Sequence, residues 1–72
     1  MIKVTLSEVL ARRGMGVTEL AQRVGITQAN VSNLKNGHAR GVRFSTLDAI
    51  CRVLQCEPGD LVRYVPDTDD LD

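Results

Sequence analysis

The 72-residue chain has no apolar run longer than a few residues. That excludes a membrane span, which needs ~20, and a secretory hydrophobic segment, which needs ~7 to 15. The chain from Met1 onward is therefore expected to be a mature cytoplasmic protein with no membrane partner. Cysteine is scarce too: Cys51 and Cys56 are too few and too close together for a secreted disulfide framework. Cys51 is expected as a small buried hydrophobe and Cys56 as a packed turn residue, the competing reading being a redox or metal pair. The single histidine, His38, follows Asn36-Gly37 in what reads as an exposed loop, a surface or phosphate-adjacent place rather than a metal ligand. With one histidine, no paired buried carboxylates and no glycine-rich phosphate loop, little remains from which to build a catalytic site. Neither an enzyme nor a cofactor is expected.

Net charge is also missing, because nine Lys and Arg balance nine Asp and Glu. The balance hides a split. Residues 1–43 carry seven cations against two anions, net +5, whereas residues 44–72 carry two cations against seven anions, net −5. Such asymmetry points to nucleic acid on the basic side. Hydrophobic content of 43% with 25% charged residues is the composition of a folded chain. One domain fits, expected over residues 1–66, with 67–72 (Asp67-Thr68-Asp69-Asp70-Leu71-Asp72) as a frayed, flexible acidic tail. A lone core of this size rarely yields more than ~3 to 5 kcal/mol, which makes a homodimer an expectation.

Helix starts carry the clearest local signal. Thr5-Leu6-Ser7-Glu8 reads as a capping box in which the Thr5 hydroxyl accepts from the Glu8 amide, and Gly14 suits the left-handed end of that helix. Arg12 and Arg13 in its last turn favour the helix dipole. The spacing predicts a second helix over 17–24, stopped by Gly25, and a third over 28–36, capped by Thr27 and stopped by Gly37. Ser45-Thr46-Leu47-Asp48 reads as another capping box, opening a helix whose Leu47, Ile50, Cys51 and Leu54 form one apolar stripe. Pro58 suits the first position of a short last turn. Ile2-Lys3-Val4 and Val62-Arg63-Tyr64-Val65 alternate with the period of a half-buried strand. Two strands this short persist only by packing on the helices, paired with each other or across a dimer.

The informative stretch is 17–36. Ala21 lets a second helix approach closely, and Gly25 supplies the positive φ that a short turn between two crossed helices needs. Leu20, Val24, Ile26, Val31 and Leu34 form the inner surface of the pair. The other face of the third helix then reads Ala29, Ser32, Asn33 and Asn36, with Gln28 and Asn30 at its leading end and no acid anywhere. An ordinary solvated face would be dominated by Glu and Lys. Carboxamides that donate and accept together match adenine N6 and N7, and a small Ala meets a thymine methyl. Lys35, with Arg40 and Arg43 in the next loop, would neutralise phosphates on one flank.

Val17-Thr18-Glu19-Leu20-Ala21, Gly25-Ile26-Thr27-Gln28, Val31-Ser32-Asn33-Leu34-Lys35-Asn36-Gly37, Ser45-Thr46-Leu47 and Glu57-Pro58-Gly59-Asp60-Leu61 together resemble the Cro/CI-type (Xre-family) helix-turn-helix regulators of bacteria and phages. The resemblance runs without a gap over roughly residues 5–65. It implies a mainly α fold, a compact five-helix bundle of the lambda-repressor-like type, here with short N- and C-terminal β-strands. It also implies a third helix in the major groove and a dimer on a two-fold site. Gln28, Ala29, Asn30 and Asn33 would lie near base edges, and Thr27, Ser32, Lys35, Asn36, His38, Arg40 and Arg43 at the DNA backbone. One departure stands out. The family commonly has Thr-Gln at the cap and first position of helix two, where this chain has Gly16 and Val17.

The function expected is a sequence-specific double-stranded DNA-binding regulator of the repressor type, without an effector domain of its own. The alternative, from a different class, is an antitoxin-like or phage-derived protein-interaction module, its protein partner unknown. That module would use the Leu61 to Val65 segment and the N-terminal strand. Salt-dependent DNA binding separates the two.

Overall fold

The computed structural model describes residues 1–66; the acidic tail expected at 67–72 lies outside the described residues. Strand β1 (Ile2–Val4) leads into helices α1 (Leu6–Arg13), α2 (Val17–Val24), α3 (Gln28–Lys35) and α4 (Phe44–Leu54). A 3-10 turn (Pro58–Asp60) and strand β2 (Val62–Tyr64) follow. The described residues are thus mainly helical, with four α-helices. The fifth helix of the expected bundle is a single 3-10 turn. Its length has a physical cause: the next residue, Leu61, is held in place by its carbonyl, which accepts from the Thr5 amide at 2.7 Å, and the chain passes straight into β2. No helix among the described residues is long and apolar enough to cross a membrane.

The core takes one stripe from each helix. Leu6, Val9 and Leu10 of α1, Leu20 and Ala21 of α2, Val31 of α3, Ile50 and Leu54 of α4, and Leu61 are all buried, and Val24, Ile26, Leu34 and Leu47 pack around them half-buried. The terminal strands pair with each other within the chain, antiparallel, with Ile2 opposite Tyr64, Lys3 opposite Arg63 and Val4 opposite Val62.

Two of the expected capping boxes do not form. Thr5 precedes α1, but its side chain makes no cap hydrogen bond; buried, with only 5% of its surface exposed, it donates its hydroxyl to the Asp60 carbonyl at 2.7 Å. The residue therefore ties the start of α1 to the 3-10 turn. Helix α4 starts one residue before the expected cap Ser45, with Arg43 as its cap and no side-chain cap bond. Asp48, expected to close that box, instead pairs with Arg52 one turn on. A capping box that the sequence reading missed does form around the 3-10 turn, where the Glu57 amide donates to Asp60 Oδ2 at 2.9 Å.

Arg13 also works away from its own helix. Its Nε donates to the Leu54 carbonyl at 2.7 Å and its Nη2 to the Gln55 carbonyl at 2.9 Å, so the guanidinium satisfies carbonyls left over at the end of α4.

Candidate nucleic-acid interface

The site is built on the turn between α2 and α3. Gly25, at φ 85°, takes up the left-handed conformation open to a residue without Cβ, and the amides of Gly25 and Ile26 both donate to the Ala21 carbonyl, at 2.9 and 3.1 Å. The chain reverses and Thr27 opens α3 in extended conformation, its Oγ1 accepting from the Asn30 amide at 3.1 Å. This is the expected cap, and it leaves the first amides of α3 pointing outward without intrahelical partners.

Val31, 0% exposed, and half-buried Leu34 anchor α3 to the core. The rotation of the helix follows from those two residues. Gln28, Ala29, Asn30 and Asn33 are all exposed, as are Thr27, Lys35, Asn36, His38, Arg40 and Arg43; Ser32 is half-buried. Beyond α3 the chain folds back on Asn33, whose backbone carbonyl accepts from the amides of His38 at 2.8 Å and Ala39 at 3.2 Å. The loop is thus fastened to α3 by the backbone of a residue whose side chain stays exposed.

Between α3, this loop and the start of α4 runs an open groove of about 340 Å³, lined by Asn30, Asn33, Arg43 and Thr46 among others. The sequence reading did not single out Thr46. It also passed over Phe44, which follows Arg43 and is 87% exposed. Its exposure had no sequence signal, since Phe44 lies three residues before Leu47 at the spacing of the apolar stripe. At the other end of the pair, Gly16 caps α2 without a side-chain bond and Val17 packs half-buried against the core, so the Thr-Gln contact expected of the family has no counterpart here.

The cations divide into two groups. Arg23 pairs with Glu19 at 3.1 Å, Arg52 pairs with Asp48, and Arg13 is bound to carbonyls. The side chains of Lys35, Arg40 and Arg43 around α3, and those of Lys3, Arg12 and Arg63 elsewhere, make no hydrogen bond or ion pair among the described residues. No carboxylate occurs between Glu19 and Asp48. Among the described residues, the positive charge of Lys35, Arg40 and Arg43 has no carboxylate partner. No group of three or more His, Cys, Asp or Glu side chains among the described residues could hold a metal ion.

Two short helices locked by a Gly turn, the second capped by Thr, anchored by one buried valine and presenting amide side chains beside free cations, define a helix-turn-helix DNA-binding domain. Residues 5–67 match the Cro/C1-type helix-turn-helix DNA-binding domain, and the chain belongs to that family, which is one of DNA-binding proteins rather than enzymes. It is 54% identical over 68 residues to the uncharacterized HTH-type transcriptional regulator YozG of Bacillus subtilis (strain 168), an alignment covering 94% of this chain and 81% of that protein.

Proposed function

We propose that the protein is a cytoplasmic, sequence-specific regulator of transcription that binds double-stranded DNA as a homodimer and represses by occupying its site. The observation that carries this reading is the rotation of α3: Val31 is 0% exposed while Gln28, Ala29, Asn30 and Asn33 face solvent. In the major groove, Gln28, Asn30 and Asn33 are suited to paired donor and acceptor contacts with adenine, and Ala29 to a thymine methyl. Thr27, Ser32, Lys35, Asn36, His38, Arg40 and Arg43 flank those residues, where phosphate contacts fix register without reading bases. A two-fold dimer would set its α3 helices about 34 Å apart, in successive major grooves.

The dimer reading is supported by Ile2 and Tyr64, which oppose each other across the sheet and are 65% and 71% exposed. Residues 1–66 serve as the DNA-binding unit, and the carboxylates of 67–72 compete with phosphate for its basic face. The same exposed pair favours the second reading, a module that grips another protein.

The test is DNA binding measured by fluorescence anisotropy across a salt series. On the first reading affinity falls with salt, and Arg40→Ala weakens binding to all sequences alike while flattening the slope by about one unit. Binding that is absent, or indifferent to salt, favours the protein-interaction module.

A further inference from the structure

At the C-terminal end of α4, away from its DNA-facing start, two thiols are brought together. Cys51 lies in the last turn of the helix and Cys56 just beyond Gln55, the one described non-glycine residue with positive φ, at 54°. That left-handed corner folds the chain back so that the Cys56 amide donates to the Cys51 carbonyl at 3.1 Å. This six-to-one closure brings the side chains at its two ends into contact. A disulfide spans Cα atoms roughly 4.4 to 6.8 Å apart, a separation that a six-to-one closure allows. The two thiols lie side by side, close enough for each to perturb the other's ionisation. Both are free and half-buried, and they line an open cleft with Gln55, Glu57 and Asp60. The pair is therefore adjacent, held in register by the backbone and accessible to a small reagent.

We propose that Cys51 and Cys56 form an oxidation site: on exposure to a hydroperoxide they close reversibly into an intramolecular disulfide that staples the end of α4 to the segment leading into the 3-10 turn. The Cys51 sulfur, as thiolate, attacks a peroxide oxygen; the O–O bond breaks, leaving a sulfenic acid, and the departing hydroxide takes up the proton lost by Cys51 to become water. The Cys56 sulfur then attacks the Cys51 sulfur. The S–S bond forms as the S–O bond breaks, and the leaving hydroxide takes the Cys56 proton as a second water. Two thiols are oxidised by two electrons and one peroxide is reduced.

The neighbouring Cys56 thiol lowers the pKa of Cys51, whereas Cys51 raises that of Cys56, which favours Cys51 as the thiolate that reacts first. Burial raises the pKa of both thiols, and Glu57, Asp48 and Asp60 raise that of Cys51 further; Asp60 also raises Cys56, which Arg13 partly offsets. Both groups rest as protonated thiols, so the site answers sustained oxidant rather than trace peroxide.

The test uses the full chain, treated with hydrogen peroxide, alkylated with maleimide and digested with trypsin. Cleavage after Arg43, Arg52 and Arg63 places the two cysteines in separate peptides, 44–52 and 53–63. The expected product is a monomer that has lost two hydrogens, takes up no maleimide and yields the two peptides joined, until a dithiol reductant separates them. In Cys56→Ser, the Cys51 sulfenic acid should persist and be trapped by dimedone, which the untreated variant and oxidised wild type do not bind. Disulfides between chains, oxygen addition without a cross-link, or both thiols still alkylated after treatment would overturn the proposal.

Discussion

The Thr5 side chain distinguishes a cap from a tether, and the two roles respond in opposite ways to one substitution. As a helix cap, Thr5 would be replaced well by Asp, which is among the best capping residues. As the donor to the Asp60 carbonyl at 2.7 Å, in a site with 5% exposure, it cannot be. A carboxylate there has no proton to give; it would face a carbonyl oxygen, lose the hydrogen bond, leave that acceptor unsatisfied and bury a charge. Together these cost about 3 to 5 kcal/mol. A lone core of this size rarely yields more than ~3 to 5 kcal/mol, so the loss is most of the whole. Thr5→Ser keeps the donor and should stay within about 1 kcal/mol of wild type. Urea unfolding followed by far-UV circular dichroism reads both variants, with an unchanged slope as the sign that only stability has moved. The deficit of Thr5→Asp should also shrink on acidification. Burial raises the folded-state pKa of the introduced carboxyl above its unfolded value of about 3.9, so the lost stability returns as pH falls through that window and the protonated acid can donate. If Thr5→Asp is as stable as wild type at neutral pH, the hydroxyl is not a tether.

Val31→Ala should cost about 2 to 3 kcal/mol and lower the thermal midpoint by about 10 to 20 °C, since it empties a fully buried site. Asn33→Ala, on the exposed face, should move stability by no more than about 0.5 kcal/mol, and a loss as large as that of Val31→Ala would mean that the carboxamide has a structural role. At Gly25 an added Cβ meets no atom within 4 Å, so Gly25→Ala should cost only its backbone strain at φ 85°, about 1 to 2 kcal/mol. An unchanged midpoint there would show that the turn does not depend on the left-handed residue.

The parts of the fold that were legible in the sequence are those decided by neighbours in the chain. Gly25 and Thr27 set the turn between α2 and α3 through bonds to Ala21 and Asn30, all within a few residues, and the bounds of α2 follow the spacing. Val31 and Leu34 then fix which face of α3 looks outward, and with it the candidate site. At Thr5 and Arg13 a distant group competes with a local one; at Asp48 and Glu57 the competing choice is itself local. Thr5 could satisfy a local amide, yet its hydroxyl donates to the Asp60 carbonyl, 55 residues away. Arg13 had its own helix end within reach but binds the end of α4. Asp48 had the choice of a cap or Arg52, and the pair one turn away prevailed. Glu57 and Asp60 did carry a readable capping spacing around Pro58, where the sequence reading rests on the proline alone for its short last turn. The exposure of Phe44 and the groove beside Thr46 depend on how the loop folds back onto Asn33, which no local pattern encodes.

The most direct measurement is selection of bound duplexes from a random pool by the wild-type chain and by Asn33→Ala, carried out in parallel. Wild type should enrich a two-fold symmetric consensus, and Asn33→Ala should lose the preference at one position in each half-site, at a cost of about 1 to 3 kcal/mol on the wild-type site. Enrichment without a consensus, or the same consensus from both proteins, would contradict base reading by the exposed face of α3.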